Sequence, residues 1–317
     1  MPKIEPAVTT LWYQVADGVS YIDLAKDLSA INRRLYRQGY VYAVQDIQVG
    51  LPVGMRTTDV WQAIFSVVPN SYMTHNAWSK AFRAWRRQQK EITDHLGPIS
   101  GKWADFKVYL DDSMEDGTIL TPTTGDGGAL SMGEWEHSKL VFDDDGTERE
   151  FKMHFIGSSN LADTNEESGI ALIEEYADSR AYPNEEPAVL GAASNTIYAK
   201  LMGTDEMSDM LVDNAESDND LPPYDVDDYY GGATSGDAAH PVQIAAVSAN
   251  QSVSRLPGFI APCGLIKIET TELAIDSTDP NLALSTVYAD GTASTAVVGI
   301  TLAVGPYRGV LATPMGQ

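Results

Sequence analysis

Tyr40-Val41-Tyr42-Ala43-Val44-Gln45-Asp46-Ile47-Gln48-Val49 and, a few residues on, Val60-Trp61-Gln62-Ala63-Ile64-Phe65-Ser66-Val67-Val68 read as two successive β-strands. Both are dominated by β-branched and aromatic residues, which suit a pleated, half-buried surface. Between them Gly50-Leu51-Pro52-Val53-Gly54 has the composition of a turn. Upstream, Thr9–Val15 is another strand, turned by Asp17-Gly18. Downstream, Trp103–Leu110 alternates apolar and polar residues and is predicted as a strand. Ser138–Phe142 and Arg149–Ile156 flank Asp143-Asp144-Asp145-Gly146-Thr147, a β-hairpin whose loop carries Asp-Gly. Strand composition returns in 242–247, 264–269 and 296–304, and the tail 305–314 reads as extended and irregular.

Helical spacing interrupts this series. Leu24, Leu28, Ile31 and Leu35 form one stripe, with Ser20 as the expected N-cap, Asp23 in the first turn and Gly39 as the stop. Its last turns would carry Arg33, Arg34 and Arg37 near the negative end of the helix dipole. A second helix is predicted over His75–Ile92, capped by Thr74 or Asn76 and stopped by Gly97-Pro98. Trp78, Ala81, Phe82, Trp85 and Ile92 fall on one side of it, and Lys80, Arg83, Arg87 and Lys90 on the other, with Arg86 adding to the cations. Trp78, Phe82 and Trp85 are core or interface anchors by their spacing.

Residues 111–134, rich in Asp, Gly and Thr, read as an exposed loop. Residues 157–240 change character toward acids, Ala, Asn and Met, with helical spacing at Ile170–Tyr176. This stretch is taken as an acidic, partly helical insertion between strands. Eight or nine strands joined by long connections do not match parallel α/β units of regular length. They fit a mainly β, antiparallel β-sandwich, a single jelly-roll domain over 1–317 whose long loops carry the helices.

The charge is uneven. The chain holds 21 Lys and Arg against 45 Asp and Glu, a net of −24. Residues 1–110 carry 13 against 9, net +4, and residues 111–317 carry 8 against 36, net −28. An acidic surface repels nucleic acid and anionic lipid, so contact with a polyanion is confined to the first third. The single cysteine, Cys263, excludes an internal disulfide and is expected as a small buried residue. No apolar run approaches the ~18–20 residues of a membrane-spanning helix, and 1–6 lack the apolar stretch of a signal peptide.

Motifs for chemistry fail on inspection. Gly97–Trp103 ends in Gly-Lys but lacks a spacer residue and the Ser or Thr of a phosphate-cradling loop. The five histidines are scattered without zinc-site spacing. Glu216–Asp220 has alternating acids, yet Leu221 stands where a calcium-binding EF-hand needs Gly. Looser calcium sites remain open at Asp143, Asp144 and Asp145 and at Asp225, Asp227 and Asp228, and Ca²⁺ at subunit interfaces is the one ion the composition suggests. No pair of carboxylates is singled out for glycoside hydrolysis, and Gly-x-Ser-x-Gly is absent. The cationic face of the second helix, with Arg33, Arg34 and Arg37, is the remaining candidate site, for nucleic acid or for an acidic neighbouring subunit.

Tyr21-Ile22-Asp23-Leu24, Asn32-Arg33-Arg34-Leu35-Tyr36-Arg37-Gln38-Gly39, Tyr72-Met73-Thr74-His75-Asn76-Ala77-Trp78 and Pro98–Phe106 together resemble the coat proteins of small circular single-stranded DNA viruses. The resemblance spans about the first third of the chain. It implies a jelly roll that self-assembles into an icosahedral shell, a location in the virion, a homo-oligomeric partner and a single-stranded DNA genome. Many such coats begin with an Arg- and Lys-rich arm, whereas residues 1–20 here contain only Lys3. The expectation is a non-enzymatic structural protein without a cofactor. A carbohydrate-binding or glycoside-hydrolysing β-sandwich is the alternative, and a phage tail or adhesin subunit a further one.

Overall fold

The computed structural model describes residues 7–50, 60–97, 101, 103–124, 127–144, 147–159, 168–178, 239–248, 253–275, 284–285 and 295–316. The chain opens with β1 (Thr10–Val15), β2 (Gly18–Asp23), α1 (Leu24–Asn32), β3 (Tyr40–Gly50), β4 (Val60–Val67) and α2 (Tyr72–Leu96). There follow β5 (Tyr109–Asp111), α3 (Ser113–Asp116), β6 (Thr118–Ile119), β7 (Lys139–Asp144), β8 (Thr147–Ile156), β9 (Ser168–Ala171) and α4 (Leu172–Asp178). The last third holds β10 (His240–Ser248), β11 (Val253–Pro257), β12 (Ile260–Pro262), β13 (Leu265–Ile275) and β14 (Leu284–Ser285). It closes with β15 (Ala296–Leu302), β16 (Val304–Gly305), β17 (Gly309–Val310) and β18 (Ala312–Pro314).

The protein is mainly β, and its long strands pair antiparallel in sheets that curl into a half-barrel. One sheet runs β1-β15-β3-β11, with β12 and β18 both pairing the start of β3. Another runs β10-β4-β13-β2-β6, with β14 on β13. Alternate residues of each strand point into one shared core. From the first sheet come Tyr13, Ile47, Val49, Val298 and Ile300, and from the other Trp61, Phe65, Val247, Ile266 and Ile268. From Ile47 to Val49 β3 alternates inward and outward, as a strand with one buried face does, whereas Val41 and Tyr42 are both buried.

A third sheet, β5-β8-β7 with β9 on β8, lies between β4 and β10 in the chain. The hairpin β7/β8 therefore forms as predicted but belongs to this separate sheet. With α2 and α4 it encloses a second core of Trp78, Phe106, Met114, Phe151, Phe155 and Ile173, which reaches Tyr21, Cys263 and Leu265. Cys263 is buried, as expected, and sits with φ 56° beside Gly264 at φ 71° in the tight turn between β12 and β13.

Several sequence expectations need correction. Ser20 is not a helix cap: residues 18–23 form β2, with Ser20 opposite Ile268 of β13. Asp23 caps α1 by accepting the Lys26 N–H. The helix stops at Asn32 rather than Gly39, because Arg33 turns left-handed at φ 53° and the Ser29 hydroxyl takes the Tyr36 N–H. Leu35, Arg34 and Arg37 thus lie beyond the helix. The predicted strand 103–110 pairs only from Tyr109, since side chains claim its earlier amides: Ser138 Oγ accepts from Lys107 and Gln38 Oε1 from Val108. Residues 111–134 are not an exposed loop throughout: Asp111, Met114, Leu120 and Pro122 are buried. The tail is more ordered than irregular, carrying β16 to β18. The turn 51–54 and most of the insertion 157–240 lie outside the described residues; within it β9 precedes α4 where only helical spacing was expected.

Candidate interaction surface

Ser71, not Thr74 or Asn76, caps α2 by accepting the Thr74 N–H, so the helix begins one turn earlier than its stripe suggests. Trp78 is stacked on Phe82 at 5.0 Å between ring centroids and meets Phe106 edge-on at 5.6 Å. Trp85 packs on the same Phe106 at 5.5 Å. The three anchors thus serve this chain's own second core. Gly39 lies under the Trp78 ring, where a Cβ would stand 2.6 Å from Cζ2. Ile92 departs from expectation: the last turns of α2 are exposed, and Ile92 with them.

Gln88 fixes the helix to the edge of the third sheet. Its amide donates to the Val141 carbonyl at 2.6 Å and accepts the Val141 N–H at 3.2 Å. That occupies both backbone groups of one residue on β7, an edge strand that would otherwise offer them to a passing chain.

The opposite side of α2 is cationic and exposed. Lys80, Arg83, Arg86, Arg87 and Lys90 all face solvent. At a rise of ~1.5 Å per residue they extend along roughly 15 Å of helix. Arg87 pairs with Glu91 at 3.5 Å, both well exposed, a contact of little net strength. Carrying the 100° helical step back to the true N-terminus puts Tyr72, 45% exposed, on the same stripe. That residue was legible once the cap was placed at Ser71.

Arg33, Arg34 and Arg37 are not part of this stripe. They sit in the connection from α1 to β3, and Arg37 reaches Asp105 at 3.7 Å. Of the calcium candidates, Asp143 and Asp144 lie in β7, paired opposite Glu148 and Thr147, rather than in a loop. Asp145, Asp225, Asp227 and Asp228 lie outside the described residues. Among the described residues no group of three or more His, Cys, Asp or Glu is arranged to hold a metal ion, and no helix is long and apolar enough to cross a membrane.

A buried polar network went unread in the sequence. Asp23 accepts from Trp135 Nε1 at 2.9 Å and from Gln38 Nε2 at 3.1 Å, while Lys107 lies 4.5 Å from the Trp135 ring centre. Burial pushes the Asp23 carboxyl up, with those hydrogen bonds and Lys26 opposing. One turn on, Asp27 accepts from Tyr13 OH at 2.7 Å, and its Oδ1 has no partner. Its carboxyl is held well above the ordinary range, chiefly by burial, with the Asp23 charge adding. Burial, reinforced by Lys107 and Lys26, pushes His137 down to about 3, so it stays neutral against the Tyr109 ring. The signal was present: Asp23 and Asp27 bracket Leu24 and Leu28 on the apolar side of α1.

The outward face of the first sheet shows a further feature. Trp12, Gly299, Gln48 and Arg255 stand in one cross-strand row. The indole lies flat over Gly299, where a Cβ would be 2.5 Å from Trp12 Cζ3, and stays 41% exposed. Compared with protein families, with curated proteins and with solved structures, the chain matches none.

Proposed function

We propose that this chain is a non-enzymatic coat protein that self-assembles into the shell of a virus particle. The observation that carries the proposal is the pairing of eight strands of the two main sheets, β1, β2, β3, β4, β10, β11, β13 and β15. Rolling up one long hairpin pairs the first strand with the eighth, the second with the seventh, the third with the sixth and the fourth with the fifth. All four pairs occur as antiparallel ladders: β1 with β15, β2 with β13, β3 with β11, and β4 with β10. That set supports a single jelly roll, with α2 and the third sheet inserted between its fourth and fifth strands. Jelly rolls recur in viral shells and in lectins, and fold alone does not choose between them.

Shell formation is favoured by the outward faces. Ile244 and Val19, 56% and 47% exposed, share a row of the second sheet with Ile64 and Glu269. Val253 and Val297 lie exposed on the first. Apolar rows on both outer faces are what neighbouring subunits cover. The resemblance in the first third points the same way. Negative-stain electron microscopy with size-exclusion chromatography tests this: discrete closed shells are expected, and a monomer at high concentration across salt and calcium conditions rules it out.

A carbohydrate-binding role is favoured by one specific observation, the exposed Trp12 ring over Gly299 in the cross-strand row that continues to Gln48 and Arg255. Retention of a monomer on a glycan column, lost in Trp12→Ala, would establish that role instead.

A further inference from the structure

We propose that the solvent side of α2, from Tyr72 to Lys90, is a docking strip for the sugar–phosphate backbone of a single-stranded nucleic acid. The inference stands independently of shell assembly.

Three features of the strip point to a polyanion. Within eleven residues it gathers Lys80, Arg83, Arg86, Arg87 and Lys90, five of the 21 Lys and Arg in a chain of net charge −24. At 100° per residue the cations spread over about 120° of the circumference along the exposed length of the helix, a continuous positive face for a flexible chain of phosphates. Arg83 and Arg87 stand four residues apart, as do Arg86 and Lys90, and like charges at that spacing destabilise an isolated helix. Glu91 pairs with Arg87 at 3.5 Å, and a polyanion laid along the strip offsets the repulsion that remains.

A protein partner fits less well. Interface cores are apolar and depleted in Lys, and this strip has two Lys and no aliphatic side chain between Lys80 and Lys90 on its outward line. At its N-terminal end Tyr72 is exposed on the same line. A half-exposed ring at the end of a basic helix face gives an unpaired base a surface to stack on, which favours a single strand over a duplex. The acidity of the rest of the chain acts weakly across the strip, because exposed charges are screened within a Debye length of ~8 Å at physiological ionic strength.

The test is fluorescence anisotropy with full-length protein and a labelled oligothymidylate of roughly 30 nucleotides, long enough for site sizes of ~4–16 nucleotides. Salt is varied from ~50 to ~200 mM; five phosphate contacts at a slope of ~0.7 each predict about a 10²-fold loss of affinity over that range. Arg83→Gln/Arg86→Gln/Arg87→Gln should cut the loss to about 7-fold, the slope falling by ~2. Tyr72→Ala should weaken binding with the slope unchanged, and a duplex of equal length should bind less well. Absence of binding at low salt, or a slope untouched by the triple variant, overturns the proposal. So does a triple variant that keeps its DNA binding but loses self-association, which would make the strip a contact between copies. Electron microscopy on the same samples separates the two claims: shells without DNA binding refute only this one, and DNA binding without shells refutes only the coat.

Discussion

Replacing Asp27 by Asn should make the protein less sensitive to pH, and the structure sets the sign. Asp27 is fully buried, and its Oδ2 accepts the Tyr13 hydroxyl at 2.7 Å while Oδ1 has no partner. Its carboxyl is raised well above 3.8, mainly by burial and further by Asp23, against the Tyr13 hydrogen bond and Lys26. A raised carboxyl favours the neutral form in the folded state. Its stabilising contribution is complete below the unfolded value of 3.8 and is lost as pH rises toward the folded value. Across that window the folded chain forfeits up to ~1.4 kcal/mol per pH unit. Asn keeps an acceptor for Tyr13 and has no proton to lose, so this slope vanishes in the variant. The price is a buried amide N–H₂ facing the unpartnered side, costing about 1–3 kcal/mol and independent of pH. The variant is therefore expected to be less stable in mild acid and to gain on the wild type steadily toward neutrality. Urea unfolding followed by tryptophan fluorescence at several pH values between about 4 and 7 measures both curves. Parallel curves would refute the assignment of a neutral, buried Asp27.

Three other substitutions probe separate contacts. Trp78→Ala removes the ring shared by Phe82, Phe106 and Gly39, and should cost about 3–5 kcal/mol in urea unfolding. Lys267→Met strips Asp111, 1% exposed, of the ammonium 3.1 Å away, and a loss of roughly 3–5 kcal/mol is expected; a neutral result would mean that Tyr21 OH and the Met114 N–H suffice for that carboxylate. Gln88→Ala should leave global stability within about 1 kcal/mol. It should speed amide exchange at Val141, whose N–H loses its acceptor.

Where the sequence reading succeeded, the physics was local. Tyr40–Val49 and Val60–Val68 are dominated by β-branched and aromatic residues, whose fit to a pleated, half-buried surface does not depend on which strand pairs with them. The two faces of α2 were equally plain, because a 3.6-residue period separates Trp78, Phe82 and Trp85 from the cations whatever the helix packs against. Errors came where a side chain from afar claimed a backbone group. Val108 was drawn out of a strand by Gln38, and α1 was cut short where Ser29 bonds Tyr36. Neither contact leaves a trace in local periodicity.

The sequence alone determined that the chain is mainly β, that α2 carries opposed apolar and cationic sides, and that acidity is concentrated after residue 110. Each of these follows from composition or from the pitch of a helix or strand. Tertiary structure alone decided which strands pair, since ladders such as β1 with β15 join residues nearly the whole chain apart. It also decided that the hairpin β7/β8 builds a second core under α2, and that Asp23 and Asp27, polar residues among leucines, are buried together. Burial and long-range pairing depend on what arrives from elsewhere in the chain, and no local pattern encodes that.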